Sequence, residues 1–197
     1  GREVEAATAA GAQEVAATEA AAFEKQKAAA VKAIRERGLK EALHKLKNLV
    51  EYRHPGVRYQ VVKAIAHLTT EADPALFDLF NMRLGDRLDK VKILAIDVLS
   101  KYTKDQRTAL AIGAAVTDRD KSVRLHAIKV LSSSEDPNAP EQVIRGLFDR
   151  DRDVKLAALD ALEALKSDKA IKALSEIIKS EKDDEVRKRA EEVMSNL

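Results

Sequence analysis

A valine followed by a basic residue recurs five times along this chain at almost constant spacing. The pairs are Val57-Arg58, Val91-Lys92, Val123-Arg124, Val154-Lys155 and Val186-Arg187, set 34, 32, 31 and 32 residues apart. Four residues after each valine stand Val61, Ala95, Ala127, Ala158 and Ala190. Seven after stand Ala64, Val98, Val130, Ala161 and Val193, and eight after stand Ile65, Leu99, Leu131, Leu162 and Met194. Positions 0, +4, +7, +8 and +11 share one stripe of a 3.6-residue helix. The mostly small residue at +4 lets a neighbouring helix approach closely. One such helix cannot bury its stripe alone, so a repeat of this length predicts stacked helical units with a continuous core.

Upstream of each valine lies a second amphipathic segment. These cover about 39–50, 74–84, 105–116, 140–148 and 168–179, with Leu76, Phe77, Phe80, Leu110, Ile112, Val143, Leu147, Phe148, Ile171 and Leu174 among their apolar residues. Each unit therefore reads helix, short turn, helix. Start signals agree. Asp73-Pro74 sets an acceptor before a first-turn proline, Thr103 and Gln106 have capping-box spacing, and Pro140 and Ser167 stand near helix starts. Asp120, Asp151 and Asp183 each precede a repeat valine by three residues, where a carboxylate can accept from the free N–H groups of the second helix. His54-Pro55-Gly56 in the first unit and Leu88 in the second depart from this pattern.

The run from Asp118 through Val123-Arg124 to Ala127-Ile128 resembles the second-helix signature of HEAT repeats, and the period of about 31–32 residues is similar to the short bacterial, PBS-lyase-type HEAT-like variety. The resemblance covers about residues 39–197. It implies an all-α solenoid, an α-α superhelix of about five helical hairpins. Two regions are expected: residues 1–37, an Ala-rich N-terminal helical extension, and residues 38–197, the repeat domain. The resemblance also implies ladders of acidic and basic side chains between stacked repeats, with Asp118, Asp120, Asp149, Asp151 and Asp153 capping helices and pairing with Arg124, Lys155 and Arg187. The last unit carries Glu191, Glu192 and Asn196 where earlier units are more apolar, which suits a capping repeat. Architecture is all that such a resemblance specifies closely, because these repeats serve many roles.

Composition narrows the functions. The 197 residues include no Cys, which excludes disulfides, thiolate metal sites and cysteine nucleophiles. Aromatics make up 4% with no Trp, too few for a large aromatic-lined pocket. Thirty-five basic against 33 acidic residues give a net charge of +2, no global pull toward nucleic acid. HEAT-like DNA glycosylases carry aromatic residues and a denser basic lining. His44, His54, His67 and His126 show no ligand spacing, and no His-Glu dipeptide occurs, unlike the iron-binding hydroxylases built on these repeats. The Asp clusters lack the central Gly and distal Glu of a calcium loop. Ser132-Ser133-Ser134 reads as a loop at a helix end, and Gly113 and Gly146 as close-packing positions within first helices. No catalytic residue, metal site or cofactor is expected.

The first 37 residues hold 14 Ala and little large apolar surface. They favour helix but offer limited packing. Such a helix leads into the first repeat, or serves as an oligomerisation or docking element. No apolar run reaches the roughly 20 residues of a membrane span. Compartment stays open: extracytoplasmic if a signal or anchor preceded Gly1, otherwise cytoplasmic.

The resemblance places second helices on the concave face, where positions +3, +6 and +10 point away from the core. These read Gln60, Lys63 and His67, then Leu94, Asp97 and Lys101, then His126, Lys129 and Ser133, with Ala157, Asp160 and Ala164 in the fourth unit; Tyr59 lies beside the row as a candidate aromatic anchor. The expectation is a non-catalytic scaffold whose concave face binds an acidic or amphipathic protein segment. The alternatives are a nucleic-acid-binding solenoid and a lyase-like or metal-dependent enzyme.

Overall fold

The computed structural model describes residues 38, 40–41, 44–45, 49–51, 54–68, 74–103 and 105–197. The chain divides into two compact units, Gly1–Asn48 and Leu49–Leu197. The helix expected over 1–37 lies outside the described residues, as does most of the first-repeat helix expected over 39–50.

In the second unit nine α-helices follow one another among the described residues: α1 Pro55–Leu68, α2 Pro74–Arg83, α3 Asp89–Leu99, α4 Thr108–Ala114, α5 Lys121–Leu131, α6 Ala139–Ile144, α7 Arg152–Leu165, α8 Ile171–Ser180 and α9 Asp184–Asn196. Short 3-10 turns extend α4 through Ala115–Thr117 and α6 through Arg145–Phe148, and Asp168–Ala170 leads into α8. Two rows result. Helix α1 packs on α3, α3 on α5, α5 on α7 and α7 on α9, while α4 packs on α6 in the row of first helices. This is an all-α solenoid, with the second helices of the repeats stacked side by side.

The sequence stripe is the seam of the stack. Val91, Val123, Val154 and Val186 are buried, as are Ala95, Ala127, Ala158 and Ala190 and then Leu99, Leu131 and Leu162. Val57 is only half-buried, in the first turn of α1, whose main packing partner among the described helices is α3. The first helices contribute Leu76, Phe77, Phe80, Ile112, Val116, Val143, Leu147 and Leu174 to the core. Phe77 meets Tyr102 edge-on with ring centroids 5.5 Å apart, and Thr108 Oγ1 donates to the Tyr102 carbonyl at 2.7 Å, tying the second repeat to the third.

Close approach explains two glycines. A Cβ on Gly146 would stand 3.0 Å from the Ala158 Cβ and the Ile128 Cδ1, and one on Gly113 would collide with Gln142 of α6. Both fit the expectation of tight packing.

Several local expectations change. Leu110, Phe148 and Ile171 are exposed, not core. On α4 the buried stripe runs through Ala109, Ile112 and Val116, which turns Leu110 outward. Phe148 follows buried Leu147 at the end of a 3-10 turn, and Ile171 opens α8 one turn before buried Leu174. Thr103 caps nothing: α4 starts at Thr108, and the preceding turn is held by Asp105 Oδ1, which accepts from the Arg107 amide at 3.0 Å. Asp73 lies outside the described residues, though Pro74 opens α2 as expected.

Candidate functional site

A ladder of ion pairs fixes the repeats relative to one another. The basic residue after each repeat valine reaches an acid five residues before the next one. Arg58 Nε donates to Asp86 Oδ2 at 2.7 Å, Lys92 Nζ to Asp118 Oδ2 at 2.8 Å, and Lys155 Nζ to Glu181 Oε2, while Arg124 Nε lies 2.8 Å from Asp149 Oδ2. The same acids accept a backbone N–H two residues on, from Leu88, Asp120, Asp151 and Asp183. Each carboxylate thus shapes its own turn and anchors the preceding repeat. Burial alone would raise the Asp86 carboxyl; hydrogen bonds from Arg58 and the Leu88 amide outweigh it and hold it below the ordinary value. The Asp183 amide and Lys155 do the same for Glu181.

The ladder matches the expected pairing in part. Arg124 meets an Asp and Lys155 meets a Glu. Arg187 instead donates to the Glu181 carbonyl of its own turn and pairs with Asp184. Asp120, Asp151 and Asp183 cap α5, α7 and α9 as expected, each accepting from two first-turn amides. Leu88 at the start of α3 provides no side-chain cap.

The outer face of the second helices carries the candidate binding residues. Gln60, Lys63, His67, Asp97, Lys101 and Lys129 are exposed; Tyr59, Leu94 and His126 are half-buried. The row is partly cross-linked. His126 Nε2 lies 2.6 Å from Asp97 Oδ1 of the preceding repeat. At the same offset two interfaces further on, Arg189 Nε donates to Asp160 Oδ1 at 2.9 Å and its Nη2 reaches Glu163, which also accepts from Asn196. Hydrogen bonds from Asn196 and Arg189 hold the Glu163 carboxyl below its ordinary value. The C-terminal end of the face is therefore knit to itself. Lys63, Lys101 and Lys129 have no carboxylate within ion-pair distance among the described residues.

Asp97, His126 and Lys129 come together on one cleft of about 530 Å³ between α3, α5 and the start of α4. Ile112 and Leu131 supply its apolar floor, and Thr103, Ser133 and Glu135 stand on its rim. Tyr59, Gln60, Lys63, His67, Leu94 and Lys101 lie outside it. The Ser132–Ser134 run is spent locally. Ser132 Oγ donates to the Lys129 carbonyl and Ser133 Oγ to that of Val130, while Ser134 Oγ accepts from the Asp136 amide. Asp136 in turn accepts from Asn138 and from the Ala109 amide of α4. Sequence reasoning missed the cleft, because its walls come from segments nearly forty residues apart that only stacking brings together.

No group of three or more His, Asp or Glu that could hold a metal ion occurs among the described residues, and no helix among them is long and apolar enough to cross a membrane.

A family profile described as HEAT repeats matches residues 111–195. No curated protein sequence matches the chain. Among solved structures, the complex of CpcE and CpcF of phycocyanin lyase from Nostoc sp. PCC7120 is similar at 19% identity over 78% of this chain and 98% of that one, with a TM-score of 0.50. An engineered protein is similar at 18% identity over 85% and 83% (TM-score 0.46). The archaeal HEAT-like repeats protein from Thermococcus onnurineus NA1 is similar at 18% over 82% and 90% (TM-score 0.39). At such identities the likeness is one of fold. Residues 111–195 therefore carry the HEAT-repeat profile, within helices stacked as an all-α solenoid.

Proposed function

We propose that this protein is a non-catalytic interaction scaffold that holds a carboxylate-bearing segment of a protein partner across the outer faces of α1, α3 and α5, the face the HEAT resemblance makes concave. HEAT repeats are helical scaffolds used generally for protein interaction; the segment and its place are our reading. The observation that carries it is the contrast along one face. The α7–α9 end spends its charges on Arg189, Asp160 and Glu163, while Lys63, Lys101 and Lys129 stay exposed and uncompensated. Uncompensated charge beside a partly apolar cleft suits electrostatic docking followed by side-chain insertion.

The test reverses the three lysines together, K63E/K101E/K129E, and compares what the wild type and the variant retain from native extract. Helicity and melting must match, as expected for exposed sites. The reading predicts that proteins held by the wild type fall by about tenfold or more on the variant. Equal retention by the two would reject it.

A further inference from the structure

The inter-helix turns stand before the second helices, whereas Lys63, Lys101 and Lys129 follow the repeat valines by six to ten residues, and these turns carry a second repeating feature. Four residues before each repeat valine stands a cation: Arg53, Arg87, Arg119, Arg150 and Lys182. Arg53 lies outside the described residues. The other four are exposed.

These cations are left over after the rest of the edge has been paired. Asp86, Asp118, Asp149 and Glu181 serve the ladder described above. Asp120, Asp151 and Asp183 accept from first-turn amides. A second, outer ladder crosses the same turns: Lys121 pairs with Asp151 and Asp153 of the next repeat, and Arg152 with Asp183 and Glu185. Asp89 lies 3.1 Å from Lys92, and Asp184 pairs with Arg187. Every carboxylate in these four turns is engaged. The side chains of Arg87, Arg119, Arg150 and Lys182 have no carboxylate partner among the described residues; of these four side chains Arg119 alone makes a hydrogen bond, from Nη2 to the Arg87 carbonyl at 3.2 Å. Three of the four are Arg, whose planar fork takes a carboxylate through two parallel bonds.

Stacked helices lie about 8–10 Å apart, so the row presents one cation per such step. An extended chain advances about 3.3 Å per residue, and three residues span one step. Beside Arg87 the edge opens into a cleft of about 530 Å³, where Pro55, Gly85 and Met82, the last 58% exposed, stand among the cations Arg58 and Arg83 and the carboxylates of Glu51 and Asp86. We infer that the turn edge is a second docking site, for an extended peptide segment bearing a carboxylate at every third residue, with an apolar residue beyond the carboxylate on Arg87 covering Met82. A nucleic acid fits less well. Its phosphates are far denser than one per repeat, and the extra ones would face the capping carboxylates between the cations.

The experiment measures anisotropy of labelled peptides with the full chain at about 20 mM salt, where exposed charges are little screened. One peptide carries Leu followed by four Asp-Ser-Ser triplets. An isomer places the four Asp in one block, and a short single-stranded DNA is the third probe. The triplet peptide is expected to bind more tightly than its isomer. R87S/R119S/R150S/K182S should weaken it by about tenfold or more, with unchanged melting, and Met82→Ser should weaken it further. K63E/K101E/K129E should leave it within about twofold, since those lysines lie on the other face. Absence of binding, equal binding of the isomer, or a smaller loss in the quadruple variant overturns the inference. Loss through the lysine variant instead would assign the peptide to the first face, and tighter binding of the DNA, lost in the quadruple variant, would make the edge a nucleic-acid surface.

Discussion

Lys92 of the second repeat places its ammonium 2.8 Å from the Asp118 carboxylate of the third, with 5% and 14% of the two side chains exposed. The Asp118 Oδ1 also accepts from the Asp120 amide at 2.8 Å, so one carboxylate closes a turn and receives the neighbouring repeat's cation. Arg58 with Asp86, Arg124 with Asp149 and Lys155 with Glu181 repeat the relationship. The apolar seam provides adhesion between repeats without direction. The ladder adds register, because a stack slipped by one helical turn would bury these charges unpaired.

The capping carboxylates give a first prediction. Asp120→Ala and Asp151→Ala each remove an acceptor that serves two first-turn amides. Each should lower unfolding stability by about 1 kcal/mol, read as a shift in the urea midpoint at constant slope. Leu88→Ala removes no cap, so any change it causes reflects packing alone.

Acid should loosen the ladder. Asp86 and Glu181 have folded-state carboxyls below their ordinary values, so their contribution is complete above the unfolded carboxylate range of about 4 and is lost as pH falls through the folded values. Lys92 works in the opposite sense. Burial would lower it, but hydrogen bonds from its ammonium to Asp118 and Asp89 raise it, so its contribution holds below the ordinary lysine range and fails only in strong alkali. The urea midpoint should stay level between about pH 6 and 9 and drop steeply below about pH 4. Asp86→Asn should be less stable at neutral pH and show a shallower acid drop than the wild type.

What the sequence showed and what it hid follow from the range of the interactions. The repeat valines and small +4 residues announce the stack because helix periodicity is local. The Asp caps of α5, α7 and α9 are legible for the same reason, since cap and amide are two or three residues apart. Leu88 made the second turn look irregular, yet Asp86 two residues earlier performs the ladder role there, and Glu181 performs it in the last turn. Those acids share a position, not a residue type, and their partners lie 26 to 28 residues away. Leu110 and Phe148 misled because a short helix leaves the direction of its apolar face to its neighbours. The cleft beside His126 and Lys129 depends wholly on how hairpins stack.

A double-mutant cycle across the first-described pair, Lys92→Met, Asp118→Ala and both together, tests the stacked register most directly. Each single change should cost about 3–5 kcal/mol by leaving a largely buried charge alone, and the two should couple by more than about 1 kcal/mol. The same cycle on the exposed pair of Lys121 and Asp153 should couple by about 0.5 kcal/mol or less. Additive losses at Lys92 and Asp118 would contradict the account, since they would mean that the cation of one repeat is not seated in the turn of the next.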